Sequence, residues 1–275
     1  MNELIKAVKE SDIEKLNALS HTDKGNKLIN KESGNTTPLN LAITLNKLDV
    51  VDAILRFSDI DVNYHDPSNE PPIHTAVKIE GNFPVFRRLL QVNAVDVNKK
   101  DSKDQYPVSE LFQKLPKTYT NWSSPLAEEV SLKFLEFLRF DNLEVNYSFK
   151  ILNFNLPLLF YVVQLGPLNA EAILNRFFNF PDLDPYLENA EGLNVIEFLL
   201  YMYLNYNQKM TIIDERIKYV LKYPIIQKLI RPKTLEIVKA KSKIFDLPYY
   251  YLLFKKYNIL PQNKKVSQIL DNIES

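Results

Sequence analysis

Residues 34–66 read GNTTPLNLAITLNKLDVVDAILRFSDIDVNYHD, and residues 68–101 return to nearly the same pattern as SNEPPIHTAVKIEGNFPVFRRLLQVNAVDVNKKD. Both copies place a proline near the start, an apolar stretch in the middle and Asp-Val-Asn near the end. Pro38, Pro72 and Pro107 follow one another at spacings of 34 and 35 residues. A period of this length indicates an array of small repeats, each of which buries its apolar face only against its neighbours.

The recurring residues have physical roles in a pair of helices. Proline has a fixed φ angle and no amide hydrogen, so Pro38 and Pro72 suit the first turn of a helix. Thr37 directly before Pro38 is the predicted N-cap. Small Ala42 and Ala76 allow a neighbouring helix to approach closely. The buried stripe of the first copy is predicted to consist of Leu39, Leu41, Val51, Ile54 and Leu55.

Residues 37–42, Thr-Pro-Leu-Asn-Leu-Ala, and residues 71–76, Pro-Pro-Ile-His-Thr-Ala, resemble the Thr-Pro-Leu-His-x-Ala motif of the ankyrin repeat family. The resemblance is strong over about residues 30–106 and weaker on either side. It implies an all-α fold: an ankyrin-repeat solenoid of helix–turn–helix repeats with a divergent helical C-terminal cap. Asn46 and Gly81 stand where the family usually has glycine at the end of the first helix.

Divergent repeats are predicted on both sides of the two clear copies. Residues 2–29 are predicted to form an N-terminal cap, because Ala7 precedes Ala42 by the same period of 35 residues. A third repeat opens at residues 101–108, and fourth and fifth repeats are predicted between residues 156 and 223.

The predicted solenoid therefore covers residues 1–223 and contains about five to six repeats. Beyond it, residues 224–275 lose the repeat pattern and are predicted to form a helical cap packed on the solenoid. Within this cap, residues 249–254 read Tyr-Tyr-Tyr-Leu-Leu-Phe, an unusually apolar run for a chain end. The run either seals the end of the solenoid or is exposed and waits for a partner.

The third repeat contains an insertion at residues 116–125, and its second helix is expected to begin at about Pro125. The segment from Pro107 to Asn146 is about 14 residues longer than the matching segment from Pro38 to Asn63. Connections of this length are usually functional or disordered. The insertion contains Trp122, the one tryptophan of the chain. Trp122 either folds back onto its own helices or anchors a partner, a role in which tryptophan is enriched.

Composition is that of a globular chain, with 45% hydrophobic and 25% charged residues and a formal net charge of zero. The charge is unevenly spread, because residues 201–275 contain 14 basic and 6 acidic side chains and residues 1–200 have the opposite excess. This asymmetry either marks a tail that meets an acidic partner or reflects differently solvated faces.

The chain contains no cysteine, which excludes disulfides, thiolate catalysis and cysteine-ligated metals. The start MNELIKAVKE lacks the apolar region of a signal peptide, and no run of about 18 apolar residues occurs. We therefore expect a soluble intracellular protein, cytoplasmic or nuclear, without membrane insertion.

No pattern of a catalytic, metal or cofactor site occurs in the sequence. His21, His65 and His74 lack the spacing of a zinc site, and the ankyrin motif implies that the His74 imidazole bridges backbone groups of adjacent loops. Glycine-rich phosphate-binding motifs and the nucleophile-elbow motif are absent. The lysines near the C-terminus lack a nucleic-acid reading motif, so nucleic acid is not the expected partner. We expect no enzyme activity, no cofactor and no bound metal.

The resemblance implies a non-enzymatic scaffold or adaptor that binds a protein partner. In the ankyrin family the partner usually lies against the concave face formed by the loop tips and the first helix of each repeat. The candidate partner-binding residues are those at matching positions and the tryptophan of the insertion: Thr44, Leu45, His65, Ser68, Glu70, Lys78, Ile79, Lys100, Ser102, Lys103, Gln105 and Trp122.

Two alternatives stay open. In the first, the chain is a subunit of a larger assembly, for example a nuclear one, and contacts it through the basic and aromatic C-terminal region. In the second, the C-terminal region has an activity of its own and the repeats serve as its docking arm. The chain would act either as a monomer or as a subunit of a hetero-complex.

The insertion generates a prediction about Trp122. Because stacking needs only a short turn between two helices, we expect the loop to project from the solenoid. The tryptophan fluorescence of the free chain should then be red-shifted and readily quenched by iodide. Deletion of residues 117–124 should leave helicity intact. Blue-shifted emission that iodide does not quench, together with a destabilised deletion variant, would show that the loop belongs to the core.

Overall fold

The computed structural model describes most of the first 237 residues. The described residues are 3–65, 70–114, 124–151, 154–165, 170–205, 217, 219–231, 233–234 and 236–237. The chain forms two compact bodies, body 1 (Met1–Glu144 with Gly166–Ile173) and body 2 (Val145–Leu165 with Leu174–Ser275).

Body 1 is a stack of helix pairs. Its helices are α1 (Glu3–Glu10), α2 (Ile13–Ser20), α3 (Asp23–Leu28), α4 (Pro38–Thr44), α5 (Leu48–Ile54), α6 (Pro72–Lys78), α7 (Phe83–Leu90), α8 (Pro107–Gln113) and α9 (Pro125–Phe137). The first helices of the pairs, α1, α4, α6 and α8, pack side by side in one row, and the second helices, α2, α5, α7 and α9, form another. Each first helix also packs on its own second helix, so the fold is the predicted helix–turn–helix array.

Prolines and hydroxyl caps set the helix starts. Pro38, Pro72 and Pro107 each begin the first helix of a repeat. The Thr37 hydroxyl accepts a hydrogen bond from the Asn40 amide at 3.1 Å, which confirms the predicted N-cap. α9 begins at Pro125, as expected from the length of the insertion.

The turns inside the pairs α1–α2, α4–α5 and α6–α7 share a left-handed backbone conformation. Asn46 and Gly81 have φ angles of 53° and 70°, and Ser11 has 53° at the same position of the N-terminal cap. Glycine adopts this left-handed region without strain, and asparagine tolerates it better than most residues. The same tight turn therefore recurs with the period of the repeat.

Most of the apolar residues that were predicted to form the buried stripe of the first clear repeat are buried. Leu39, Val51 and Ile54 are buried, whereas Leu41 and Leu55 are half-exposed. The prediction for these two leucines was wrong because helices of seven residues turn only part of their apolar surface toward the neighbouring repeats. In the second repeat, Leu89 is fully buried.

An asparagine ladder connects the ends of successive repeats. The side-chain amide of Asn30 donates to the Asp59 carbonyl at 2.6 Å, and its oxygen accepts from the Asp61 amide at 2.9 Å. Asn63 and Asn98 make the same pair of bonds to the repeat that follows each of them. The asparagine of each Asp-Val-Asn triplet thus joins the end of its repeat to the end of the next repeat by hydrogen bonds.

Body 2 contains a β-hairpin followed by helices. β1 (Ser148–Ile151) and β2 (Phe154–Pro157) are antiparallel, with Phe149 opposite Leu156. The helices that follow in the chain are α10 (Leu158–Val162), α11 (Ala170–Phe177), α12 (Val195–Asn205) and α13 (Pro224–Gln227). α10 packs on β2 and α12, and the rings of Phe160 and Phe198 lie 5.3 Å apart in this core.

The hairpin differs from the all-α expectation. Phe149 is buried while Ser148 and Lys150 are exposed, which is the two-residue alternation of a strand. The Leu158 amide donates to the Tyr147 carbonyl at 2.9 Å and continues the pairing into the start of α10. The strand signal is only four residues long and is therefore easily missed in a helical repeat sequence.

Two predicted segments fall largely outside the described residues. These are the insertion, of which only residues 124–125 are described, and residues 238–275 of the predicted C-terminal cap. The cap and its boundary at residue 224 stay predictions. In the described part of the chain, no helix combines the length and the apolar character that crossing a membrane requires.

A first prediction concerns the core. Leu89→Ala should lower the free energy of unfolding by about 2–5 kcal/mol, because truncating a fully buried leucine leaves a cavity. Leu55→Ala is the matched control, since the same change at a half-exposed leucine should cost clearly less. Urea unfolding followed by circular dichroism measures both. A larger loss at Leu55 than at Leu89 would contradict this packing.

A second prediction concerns the ladder. Asn63→Asp should destabilise the chain by about 1–2 kcal/mol, because a carboxylate cannot donate to the Ala94 carbonyl that Asn63 now contacts at 2.7 Å. Asn93→Asp introduces the same charge at an exposed asparagine next to this junction and should be nearly neutral. Equal stability of the two variants in urea would show that the ladder contributes little.

Candidate functional site

The described candidate residues lie at the ends of two first helices and on the loops between repeats. Thr44 and Leu45 are exposed at the end of α4, and among the described residues Leu45 is one of the few exposed large apolar side chains, at 39%. Lys78 is exposed and Ile79 half-buried at the end of α6. The loop residues are His65, Glu70, Lys100, Ser102, Lys103 and Gln105.

The loop of residues 98–106, which precedes α8, is held in shape by Asp101. One carboxylate oxygen of Asp101 accepts the amides of Lys103 and Gln105, both at 2.9 Å. The Asp101 amide donates to the Gln105 carbonyl at 3.1 Å, and Asp104 has a φ angle of 60°. Such side-chain to backbone bonds fix a turn without help from outside. Ser102 and Lys103 are therefore presented at the tip of a preformed loop.

Lys100 is held at the side of this loop. Its ammonium lies 2.9 Å from Asp104 Oδ1 and 4.7 Å from the centre of the Tyr106 ring. The hydrogen bond to Asp104 raises the pKa of Lys100, and burial acts in the opposite direction. Lys100 thus already forms an ion pair within the loop. Lys103 is exposed and takes part in no ion pair with another described residue.

Lys78 belongs to a group of interacting side chains behind this loop, called here the His74 network and consisting of Glu70, His74, Lys78 and Glu110. The Lys78 ammonium lies 2.7 Å from Glu110 Oε1 and also contacts Glu70 Oε2. Burial lowers the pKa of Lys78, but its hydrogen bonds to Glu110 and Glu70 outweigh burial, and the pKa is raised. The structure therefore brings together Glu70 and Lys78, two candidate partner-binding residues, in an ion pair.

His74 lies at the centre of the network. Its Nε2 is 2.7 Å from the Lys99 carbonyl, so the imidazole bridges to the next loop as the sequence predicts. Its Nδ1 is 2.6 Å from Glu110 Oε2 on α8 rather than from a second backbone group. Both side chains are buried, with exposures of 0% and 6%. The base of the loop is thereby attached to α6 and α8.

The network does not make a metal site. Ligand atoms of His74, Asp101 and Glu110 lie within 4.8 Å of one another. Both nitrogens of His74 are already hydrogen-bonded, and the Lys78 ammonium neutralises Glu110 directly. A cation would have to displace these partners, so the donor set suits the ion pairs that it contains.

The third residue of a first helix repeatedly reaches the next repeat. Asn40 occupies this position in α4, where its amide donates to the Glu70 carbonyl at 2.9 Å, and His74 occupies it in α6. Within body 2, Glu197 has the same place in α12 and contacts Arg231 with both oxygens, at 2.8 and 2.7 Å. Each of these side chains locks the loop that comes after it.

Glu197 is fully buried and remains ionised in this arrangement. Burial alone would raise its pKa, but the hydrogen bonds from Arg231, the Asn194 amide and Thr234 lower it below its usual range. Arg231 also contacts Glu188 and the Gly192 carbonyl. The third position of a first helix therefore makes a contact across the junction through an ion pair at Glu197, whereas at Asn40 it does so through a neutral hydrogen bond.

Lys133 on α9 is a buried residue that sequence reasoning missed. Its ammonium is 1% exposed and bonds the carbonyls of Ala76, Val77 and Ile79 at 3.1, 3.3 and 2.8 Å. Glu129, one turn earlier, lies 2.9 Å from the ammonium. Burial lowers the pKa of Lys133, and the ion pair with Glu129 offsets part of this effect.

Together Lys133 and Glu129 close the end of α6. Glu129 Oε2 accepts the Gly81 amide at 2.9 Å, so both residues of α9 bind the turn between α6 and α7. A cation at the C-terminus of a helix is favourable because the last carbonyls have no partners inside the helix. The signal in the sequence was a lysine inside an apolar helix face, four residues after a glutamate.

Two candidate residues, Ser68 and Trp122, lie outside the described residues. Their assignment to the partner surface stays a prediction, as does a role for the loop that contains Trp122.

Of the comparisons with known proteins, the match to a family model agrees with the repeat geometry. A family model described as ankyrin repeats matches residues 4–101 in three copies. No curated protein matches the sequence. Among solved structures, a chain from the complex of the predatory endopeptidase Bd0816 of Bdellovibrio bacteriovorus with the immunity protein Bd3460 is similar at 16% identity. That similarity covers 80% of this chain and 98% of that chain, with a TM-score of 0.45.

The matched residues span the N-terminal cap and the two clear repeats, and hence the helix pairs α1–α2, α4–α5 and α6–α7. Residues 4–101 are therefore identified as ankyrin repeats.

Proposed function

We propose that this chain is a non-enzymatic adaptor that binds a protein partner through its inter-repeat loops and the ends of its first helices. Ankyrin repeats generally serve protein–protein interaction, and the family match places such repeats at residues 4–101. The observation that carries the proposal is the preformed loop of residues 98–106, whose exposed tip is held by internal bonds at its base.

Preorganisation is the physical advantage of this loop. A partner that meets Ser102 and Lys103 does not have to order the backbone beneath them, because Asp101 already binds the amides of Lys103 and Gln105. Avoiding the entropic cost of ordering a loop leaves more of the contact energy for affinity. The loop is therefore suited to recognition.

The second helices use their polar groups in a different way. Arg56 on the turn after α5 donates to Asn17 on α2 at 3.0 Å, and Arg88 on α7 pairs with Asp52 on α5 at 2.5 Å. Arg87 on α7 lies 3.5 Å from Glu136 on α9. These side chains connect neighbouring repeats to one another. The inter-repeat loop of residues 98–106, by contrast, exposes Ser102 and Lys103. These loops are therefore better able to contact a partner.

The contribution of Lys78 to binding is expected to be indirect. Because its ammonium already contacts Glu70 and Glu110, exchanging it would disturb the His74 network as well as any partner contact. Lys103 is the cleaner probe of the surface. Contact through the C-terminal region remains the alternative proposal, since residues 238–275 lie outside the described part of the chain.

A third prediction tests the loop surface. A crosslinking pull-down from native lysate with the full chain first supplies the partner. Lys103→Glu should then weaken binding about fivefold or more, because charge at an interface rim changes association, while thermal unfolding stays nearly unchanged. Arg87→Glu is the control: it reverses an exposed positive charge within the second helix α7, away from the inter-repeat loops and from the ends of the first helices.

Calorimetric titration of the three proteins with the partner separates the outcomes. A loss of affinity confined to Lys103→Glu supports binding through the inter-repeat loops. Full affinity of Lys103→Glu, or an equal loss with Arg87→Glu, would place the interface elsewhere.

A further inference from the structure

His74 has an oxygen against each of its ring nitrogens. Nε2 lies 2.7 Å from the Lys99 carbonyl and Nδ1 lies 2.6 Å from Glu110 Oε2. The imidazole is fully buried, so water does not replace either partner. In this respect His74 differs from a histidine that accepts a backbone N–H with one nitrogen and donates with the other.

The two contacts require one proton more than a neutral imidazole and an ionised carboxylate carry. The Lys99 carbonyl can only accept, so Nε2 must hold a hydrogen. A neutral imidazole would then turn the lone pair of Nδ1 toward a carboxylate oxygen, and two acceptors do not approach to 2.6 Å. A proton must therefore lie between Nδ1 and Oε2.

The neighbouring charges place this proton on the histidine. Lys78 Nζ is 2.7 Å from the other oxygen of Glu110 and stabilises the ionised carboxylate. We propose that His74 is a buried imidazolium paired with Glu110, and that loss of this proton loosens the junction between the second and third repeats.

The other elements packed around His74 are consistent with a positive imidazole. Glu110 and Asp101 have carboxylate oxygens within 4.8 Å of its ring nitrogens, and Glu70 contacts Lys78. The nearby cations are Lys78 and Lys114, whose ammonium donates to the Lys78 carbonyl and whose pKa is lowered by burial. Without the imidazolium, three acidic groups would face two lysines.

The remaining neighbours of α6 do not change the balance of acidic and basic groups around His74. α4 contributes no ionisable side chain. On α7, Arg88 is paired with Asp52 and Arg87 lies near Glu136. On α9, Lys133 is paired with Glu129 at the far end of α6.

The sign of the pH dependence follows from proton linkage. In the unfolded chain a histidine loses its proton at about pH 6.5, whereas the contact between Nδ1 and Glu110 in the folded chain requires a protonated imidazole. The pair then stabilises the fold fully below about pH 6.5 and progressively less as the pH rises above that value. Because Nε2 holds the Lys99 carbonyl, the loss acts at the base of the loop of residues 98–106.

Nitrogen-15 NMR of the full chain tests the protonation state directly. At pH 7, both ring nitrogens of His74 should have the chemical shift of protonated imidazolium nitrogens. Comparison with the Glu110→Gln variant assigns the signal, because His74 is the histidine that contacts residue 110. A pyridine-like shift for either nitrogen of the unaltered protein at pH 7 would overturn the proposal.

A pair of variants tests the linkage. In Glu110→Gln the side-chain amide can donate to Nδ1, so a neutral imidazole satisfies both contacts and no extra proton is needed. Between pH 6 and pH 8.5, the unfolding equilibrium constant of the unaltered chain should rise about tenfold more than that of Glu110→Gln, as measured in urea.

Glu70→Gln is the matched control. This change also removes an ion pair with Lys78, but Glu70 does not face a nitrogen of His74, so the pH dependence of the unaltered chain should persist. His21 and His65 are present in all three proteins and cancel in the comparison. An identical pH dependence in the unaltered chain and in Glu110→Gln would overturn the proposal.

Discussion

The structure of body 1 depends on the bonds that join one repeat to the next. A pair of helices of seven or eight residues cannot bury its apolar face alone, so its stability comes from its neighbours. The asparagine ladder sets the spacing at the loop ends, from Asn30 through Asn63 to Asn98. Within body 2, Asn146 contacts Asp182 and Asp184 in the same way, and Tyr186 then stands where the next asparagine would be.

Beside this uniform ladder, the third residue of α4, α6 and α12 makes a side-chain contact across a junction, and its chemistry differs from one helix to the next. Asn40 forms a neutral bond to a carbonyl, His74 belongs to a charged network and Glu197 is clasped by an arginine. All three satisfy a buried polar group across a junction, as a low-dielectric interior demands. The backbone path is preserved while the charge, and with it the response to the solvent, changes from one junction to the next.

Local chemistry explains what the sequence could predict. The prolines, the Thr37 cap and the left-handed turn at Asn46 act within a few residues, so their effects are visible in a linear pattern. The burial of Lys133 and the pairing of Lys78 with Glu110 depend on side chains more than 30 residues away. Periodicity cannot supply these partners, and for that reason Lys78 looked like a free contact residue. The hairpin at residues 148–157 was missed because its alternation is brief.

The position of Lys133 has a consequence for the limits of the folding unit. The carbonyls at the end of α6 receive their donors from a lysine more than 50 residues downstream, and the turn that follows is held by Glu129. The matched ankyrin segment ends at residue 101, so a fragment cut there would lose these donors together with the helix pair α8–α9. The recognisable repeats and the cooperative unit are therefore different stretches of chain. The smallest piece that keeps the second repeat closed extends through α9, to about residue 138.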